Sequence, residues 1–285
     1  MTFQYFALLD RFGSDDNELD LSYRDRTLKI RKIPRGKLED YLLRPKSTGP
    51  SINATIQTAI VFGENRYWID YHYEVEDSKE AKIRANNAVY EEMEKMLLVL
   101  RLFKEGHIRI VFNFWRVPHG WTQLSSLKFL RSDERPYFLK AAELPALKNF
   151  REESSDALSD EKRTTQTVLD IALRRFTDGY ERIKLEDRII DYMIGLEALY
   201  LQGEIPSEMS YKLAHRMSVL LADNKEQRQK LFRRIKDSYK LRSHIVHGLK
   251  YELKQDETWF VEDQLRLSIK KFLKTPKPNW VNLIF

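Results

Sequence analysis

Glu186-Asp187-Arg188-Ile189-Ile190-Asp191-Tyr192-Met193-Ile194-Gly195-Leu196-Glu197-Ala198-Leu199 is the stretch that decides how the second half of the chain folds. Ile189, Ile190, Met193, Leu196 and Leu199 recur at steps that place them on one stripe of a helix. The same spacing repeats on either side. Upstream, Val168, Ile171, Ala172, Leu173 and Phe176 mark one helix. Downstream, Met209, Leu213, Met217 and Leu220 mark another, Leu231, Phe232, Ile235 and Tyr239 a fourth, and Val261, Leu265, Ile269 and Phe272 a fifth. The connections are short, so neighbouring helices should pack antiparallel as a bundle.

The chain changes character near residues 150–165. Before that point it is mixed and rich in aromatic strands. Phe3–Leu9, Leu19–Tyr23 and Thr27–Ile33 read as short strands. Ala54–Phe62, a Gly63-Glu64-Asn65 turn and Tyr67–Val75 read as a hairpin. Tyr67, Ile69, Tyr71, Tyr73 and Val75 share one face by period two, a row read as a core face in preference to a base-stacking platform. A long helix follows, capped by Asp77 or Ser78, with Ile83, Val89, Met93, Met96, Leu97 and Leu100 at helical spacing and Gly106 ending it. Ile108–Trp115 reads as a strand, and the Pro-broken stretch from Pro118 to about Phe150 has no clear assignment. The expectation is an α+β chain: an N-terminal mixed domain, residues 1–155, serving recognition or sensing, and an all-α bundle, residues 156–285.

Composition narrows the function classes. The 285 residues are 42% hydrophobic and 32% charged, the balance of a globular chain. No run reaches the roughly 18 apolar residues of a membrane helix. Met1–Asp10 is apolar but short and lacks a basic leader, so it reads as a strand and not a signal peptide. Cysteine is absent, which excludes disulfides, thiolate zinc sites and a cysteine nucleophile. The expected setting is cytoplasmic, with no membrane association. With 10 glycines and no Gly-rich phosphate loop, nucleotide-binding folds of that kind are not expected. The net charge of +6 admits a polyanionic partner. Basic residues are densest from Lys225 to Arg242, where Arg233, Arg234, Lys236 and Lys240 are candidate backbone contacts for a nucleic acid.

That basic helix runs into Tyr239-Lys240-Leu241-Arg242-Ser243-His244-Ile245-Val246-His247-Gly248. Gly248 suits the position after a helix C-cap, which puts His247 in the last turn, where the dipole favours its protonated form. A histidine poised between two states serves general acid–base work near neutral pH. Arginine's planar fork suits phosphate oxygens. Together they fit RNA cleavage, in which the 2′-hydroxyl attacks the adjacent phosphate and no metal is required. Residues five apart do not share a helix face. Arg242 must therefore bend toward His247, or two such pairs must meet across a dimer axis. Structural roles compete with these: His247 as a helix cap, Arg242 as an ion-pair partner of Glu197 or Asp191, His244 and Glu197 as structural or surface residues. His244 and His247, three apart and without a third ligand, fall short of a zinc site. The remaining histidines have no Ser or Asp partner at a recognisable spacing, and His215 is expected on the exposed side of its helix.

Arg242, four intervening residues, His247 and then Gly248 resemble the signature of HEPN domains. Glu186–Leu199 resembles the early helix of the Apea-like HEPN branch, and Tyr239–Gly248 its late helix, so the resemblance covers about residues 160–275. It implies a helical bundle that dimerises through the motif helices. It also implies a metal-independent endoribonuclease in antiviral defence, abortive infection or a toxin system, without cofactors, and often held in check by a regulatory protein partner or trigger. On this resemblance Arg242 and His247 are catalytic. Ser243 stands where active members often carry Asn, Asp or His, and Glu197 and His244 are supporting residues. The alternative is a HEPN-fold module that binds RNA or dimerises as an adaptor without cutting.

Overall fold

The computed structural model describes residues 2–23, 26–34, 37, 66–74, 78–117, 120–123, 134–155, 158, 167–203, 208–275, 278 and 280. Two compact units divide the chain, Met1–Glu153 and Ser154–Phe285. The expected strand Ala54–Phe62 and its turn, the cap Asp77, and His119 lie outside the described residues.

The first unit is built on an antiparallel sheet of order β3-β4-β5-β1-β6-β7. Its strands are β1 (Thr2–Asp10), β3 (Glu18–Asp20), β4 (Thr27–Ile33), β5 (Arg66–Glu74), β6 (Arg109–Val117) and β7 (Gly120–Gln123). The expected strand Leu19–Tyr23 is shorter as a regular element, but pairing with β4 continues through Leu21 N–H to the Leu28 carbonyl and the Tyr23–Arg26 bridge. Two further strands, β2 (Phe12–Ser14) and β8 (Tyr137–Leu139), pair in parallel beside it. The unassigned stretch after Pro118 thus supplies β7, β8 and helix α2 (Leu144–Ser155).

Helix α1 (Lys79–Phe103) carries Val89, Met93, Met96, Leu97 and Leu100 as one buried stripe. Hydrogen bonds tie this helix to its surroundings: Tyr137 Oη donates to the Leu100 carbonyl at 3.0 Å, and Arg151 of α2 reaches Glu92 at 2.5 Å. Tyr67, Ile69 and Tyr71 are buried as a core face should be. The opposite face of β5 is buried as well. Phe6 and Trp68 stack at 4.5 Å and 8°, with Phe114 beyond them. Next to this cluster the buried Asp70 accepts from Gln4 at 2.7 Å and contacts His72 Nε2 at 2.8 Å. Burial alone would push its carboxyl up, but His72, Gln4 and Arg31 hold it below the ordinary carboxylate value.

The second unit is helical: α3 (Val168–Glu181), α4 (Leu185–Tyr200), α5 (Met209–Leu221), α6 (Lys225–Val246) and α7 (Gln255–Lys274). Thr167 begins α3 by a capping box, accepting from Asp170 N–H at 3.2 Å while the Asp170 carboxylate accepts from Thr167 N–H at 2.7 Å. Helix α3 packs along α4, α4 along α7, and α5 along α6. Gly179 makes the first of these crossings close. A Cβ there would sit 2.1 Å from the Tyr192 ring, nearer than van der Waals contact permits.

At the centre lies a buried ion cluster. Glu262 is fully buried. It accepts from Tyr180 Oη at 2.9 Å, Tyr192 Oη at 3.3 Å and Arg188 at 3.4 Å, and it pairs with Arg266. Arg266 also pairs with Asp263, so two arginines face two carboxylates. Burial and the Glu262 charge push the Tyr192 hydroxyl well above its ordinary pKa, keeping it a donor. Residues of α3, α4 and α7 are joined here. Removing one partner from such a cluster leaves uncompensated charge in the core and costs about 3–5 kcal/mol. Glu262→Ala is therefore expected to lower the urea midpoint of the helical signal markedly. An unchanged midpoint would show that the cluster does not hold the bundle.

Candidate active site

Helix α6 starts at the N-cap Asn224, whose side chain accepts from Gln227 N–H at 2.9 Å. Over its 22 residues only Ile235 and Ser238 are buried. Of the expected apolar stripe, Leu231, Phe232 and Tyr239 are only half-buried. At about 100° per residue, Arg233, Lys236 and Lys240 fall on one exposed stripe. None of the three forms an ion pair among the described residues. Arg234 departs from the expectation that it joins them. It turns onto the flank facing α7, with its guanidinium 3.7 Å from the Phe260 ring centroid and 4.0 Å from Glu257. Its side chain stays 44% exposed, so the guanidinium rests on Phe260 at the surface of the bundle.

The helix ends in a Schellman turn. Leu249 N–H bonds to the His244 carbonyl at 2.9 Å, and Gly248 N–H to the Ile245 carbonyl at 3.2 Å. Gly248 takes φ +66°, the left-handed value that this turn needs. His247 is the C-cap residue, one step beyond the last helical residue, and is exposed. Ser243 is half-buried, and its carbonyl accepts from His247 N–H at 3.0 Å. His244 is half-buried.

Arg242 points inward to α4, its Nη2 lying 3.7 Å from Glu197 Oε2. Of the two partners weighed for Arg242, Glu197 is the one it meets; Asp191 is taken by Arg175 and Arg182, each at 2.7 Å. Glu197 Oε1 and Arg242 Nε are buried and make no hydrogen bond. The pair is thus an electrostatic contact with hydrogen-bonding capacity unspent on both sides. Burial raises the Glu197 carboxyl above its ordinary pKa, and Arg242 only partly opposes this. Tyr239 stands beside them, its hydroxyl raised first by burial and then by the Glu197 charge. No hydrogen bond or ion pair joins Arg242 to His247 among the described residues. Within one chain, Arg242 and Glu197 come together, and His247 stands apart on the exposed end of the same helix. Among the described residues no group of three His, Asp or Glu side chains is placed to hold a metal ion. None of the described helices is long and apolar enough to cross a membrane.

Sequence reasoning did not single out Tyr239 as part of this site, nor Phe260 and Glu257 as the anchor of Arg234. It also passed over the flank of α6 facing α5. There His215, expected on an exposed side, is half-buried and lines a groove with Arg228, Phe232 and Arg233. The available signal was Tyr211 and His215, aromatic rings four apart on α5, opposite a basic helix. Comparison with protein-family models, with curated proteins and with solved structures returns no match.

The raised carboxyl of Glu197 has a sign. A folded pKa above the unfolded one gives stability that is complete below the unfolded value of 4.5 and is lost as pH rises through the folded value. Glu197→Gln removes that titration. Its stability is expected to improve relative to the parent as pH climbs from about 4 to about 7, in paired urea unfolding curves. A difference between the two that stays flat with pH would show that Glu197 is not held above its ordinary value.

Proposed function

We propose that this protein is an RNA-cleaving enzyme of HEPN type, a metal-independent endoribonuclease acting in the cytoplasm in a defence, abortive-infection or toxin role. The observation that carries the reading is the build of α6. One exposed stripe of Arg233, Lys236 and Lys240 leads to an exposed His247, while Arg242 sits a few residues earlier with its Nε donor unfilled. In this reading the cationic stripe holds the RNA backbone. His247 takes the proton of the 2′-hydroxyl or gives one to the leaving oxygen, and Arg242 steadies the charge on the phosphate. Glu197 positions Arg242 from α4. Four residues stand between Arg242 and His247 and the two do not share a helix face, so the working site is assembled where the Arg242–His247 pairs of two copies meet across a homodimer axis. The exposed apolar side chains of Val246, Leu249 and Tyr251 beside the motif support such pairing. The N-terminal sheet unit would carry recognition of a regulatory partner or trigger.

A second reading is supported by the ion pair itself. Arg242 turned to Glu197, away from His247, also suits a HEPN-fold module that binds RNA or dimerises without cutting it.

Incubation with total RNA in excess EDTA separates the two. Cleavage by the parent, lost at least about 10²-fold in His247→Ala and Arg242→Ala, is the expected result. Equal cleavage by His247→Ala would overturn the assignment. Binding without cleavage would favour the adaptor. Lys236→Ala with Lys240→Ala is expected to flatten the salt dependence of RNA binding by about one to two counterions, with little change between sequences.

A further inference from the structure

Between α5 and α6 lies an open groove of about 360 Å³, lined by His215, Arg228, Gln229, Phe232 and Arg233 among others. Two arginines and a histidine line it, and among the described residues no carboxylate does. Tyr211 stands beside it, 52% exposed. Its ring stacks on His215 at 5.8 Å and 9°, and meets Phe232 edge-on at 5.4 Å and 76°. Arg228 is held in place by its own Nε, which donates to the Ala222 carbonyl at 3.1 Å and leaves the terminal nitrogens of the guanidinium to a ligand. Arg233 belongs to both the groove and the exposed basic stripe.

An occupant of this groove must offer a flat π face to the rings and negative charge to the arginines. Carboxylate side chains have the charge without the face, and apolar helices have neither in the right place. An unpaired nucleotide has both, and stacking on protein rings is a sequence-tolerant source of affinity. In a duplex the base faces are already stacked on their neighbours. We propose that the groove is a single-strand subsite, in which one unpaired RNA nucleotide stacks on Tyr211 and its phosphate meets the arginine-lined wall of the groove. The subsite rests on the RNA-directed reading above and adds to it the strand state of the substrate. A chain leaving the groove at Arg233 passes directly onto Lys236 and Lys240, toward the motif.

The test uses the full-length protein carrying His247→Ala, in EDTA, so that binding is read without cleavage. Fluorescence anisotropy follows a short labelled single-stranded oligoribonucleotide and its blunt duplex. The single strand is expected to bind more tightly. Adding Tyr211→Ala should weaken the single strand roughly tenfold and leave the duplex unchanged. Tyr211→Phe should bind as the parent does, since the ring and not the hydroxyl does the stacking. Arg228→Ala should weaken the single strand and lower its salt slope by about one counterion. Tyr211 is exposed, so its variants are expected to unfold with the parent's midpoint. Equal single-strand binding by Tyr211→Ala, or equal loss of both RNAs, overturns the subsite. Displacement by AMP as complete as by unlabelled strand assigns the groove to a free mononucleotide and overturns it likewise. Cleavage by the His247 parent is scored separately. Its absence, with strand selectivity intact, sinks the nuclease and spares the groove; the converse sinks the groove alone.

Discussion

Glu262 is the constraint on which the helical unit depends. A carboxylate with no exposure is tolerable only when its charge is matched and its lone pairs are filled. Here that requires Tyr180 from α3, Arg188 and Tyr192 from α4, and Arg266 one turn along α7. The requirement fixes three helices at once, in rotation as well as in distance. Their crossings follow: α3 comes close enough to α4 that only glycine fits at position 179. The site inherits this frame. Helix α4 holds Glu197 less than three turns beyond Arg188, and α7 holds Glu257 and Phe260 within two turns of Glu262. The side chains that orient Arg242 and Arg234 therefore stand on helices locked by the core acid.

The sequence discloses elements more readily than partners. The helices described in the second unit are marked by apolar spacing, because burial against neighbours selects a stripe and the stripe repeats with the turn; in α6 that stripe is half-buried except at Ile235. Val261, Leu265, Ile269 and Phe272 are all buried, as their spacing implies. The helix end at Gly248 is legible for a local reason: the Schellman turn needs a left-handed residue, and glycine takes that shape with least strain. Glu262 and Arg188 were not legible. Charged residues next to apolar ones read as solvent-facing, and only the three-dimensional meeting of three helices shows them inside.

The same distinction runs through the candidate site. That Arg242 and His247 diverge follows from counting residues along a helix. That Arg242 meets Glu197 and not Asp191 does not, since both lie on α4; two other arginines claim Asp191. Nor could a count of basic residues separate Arg234 from Arg233, which adjoin in sequence but project about 100° apart. In the sheet unit, alternation gave the Tyr67–Tyr71 face as core, but not the burial of the reverse face with Trp68 and Asp70. A strand covered on both sides buries its second face without any alternation that marks it.

Helix α6 is long, yet it is sunk into the bundle at only two positions, Ile235 and Ser238. Along the rest of its length the side chains are half-buried or exposed. Its anchorage is thus lighter than that of α4, which shares the core acid. A polyanion gripping the helix from outside would add to its few interior anchors, so that occupancy and rigidity rise together and each ligand contact carries an ordering cost.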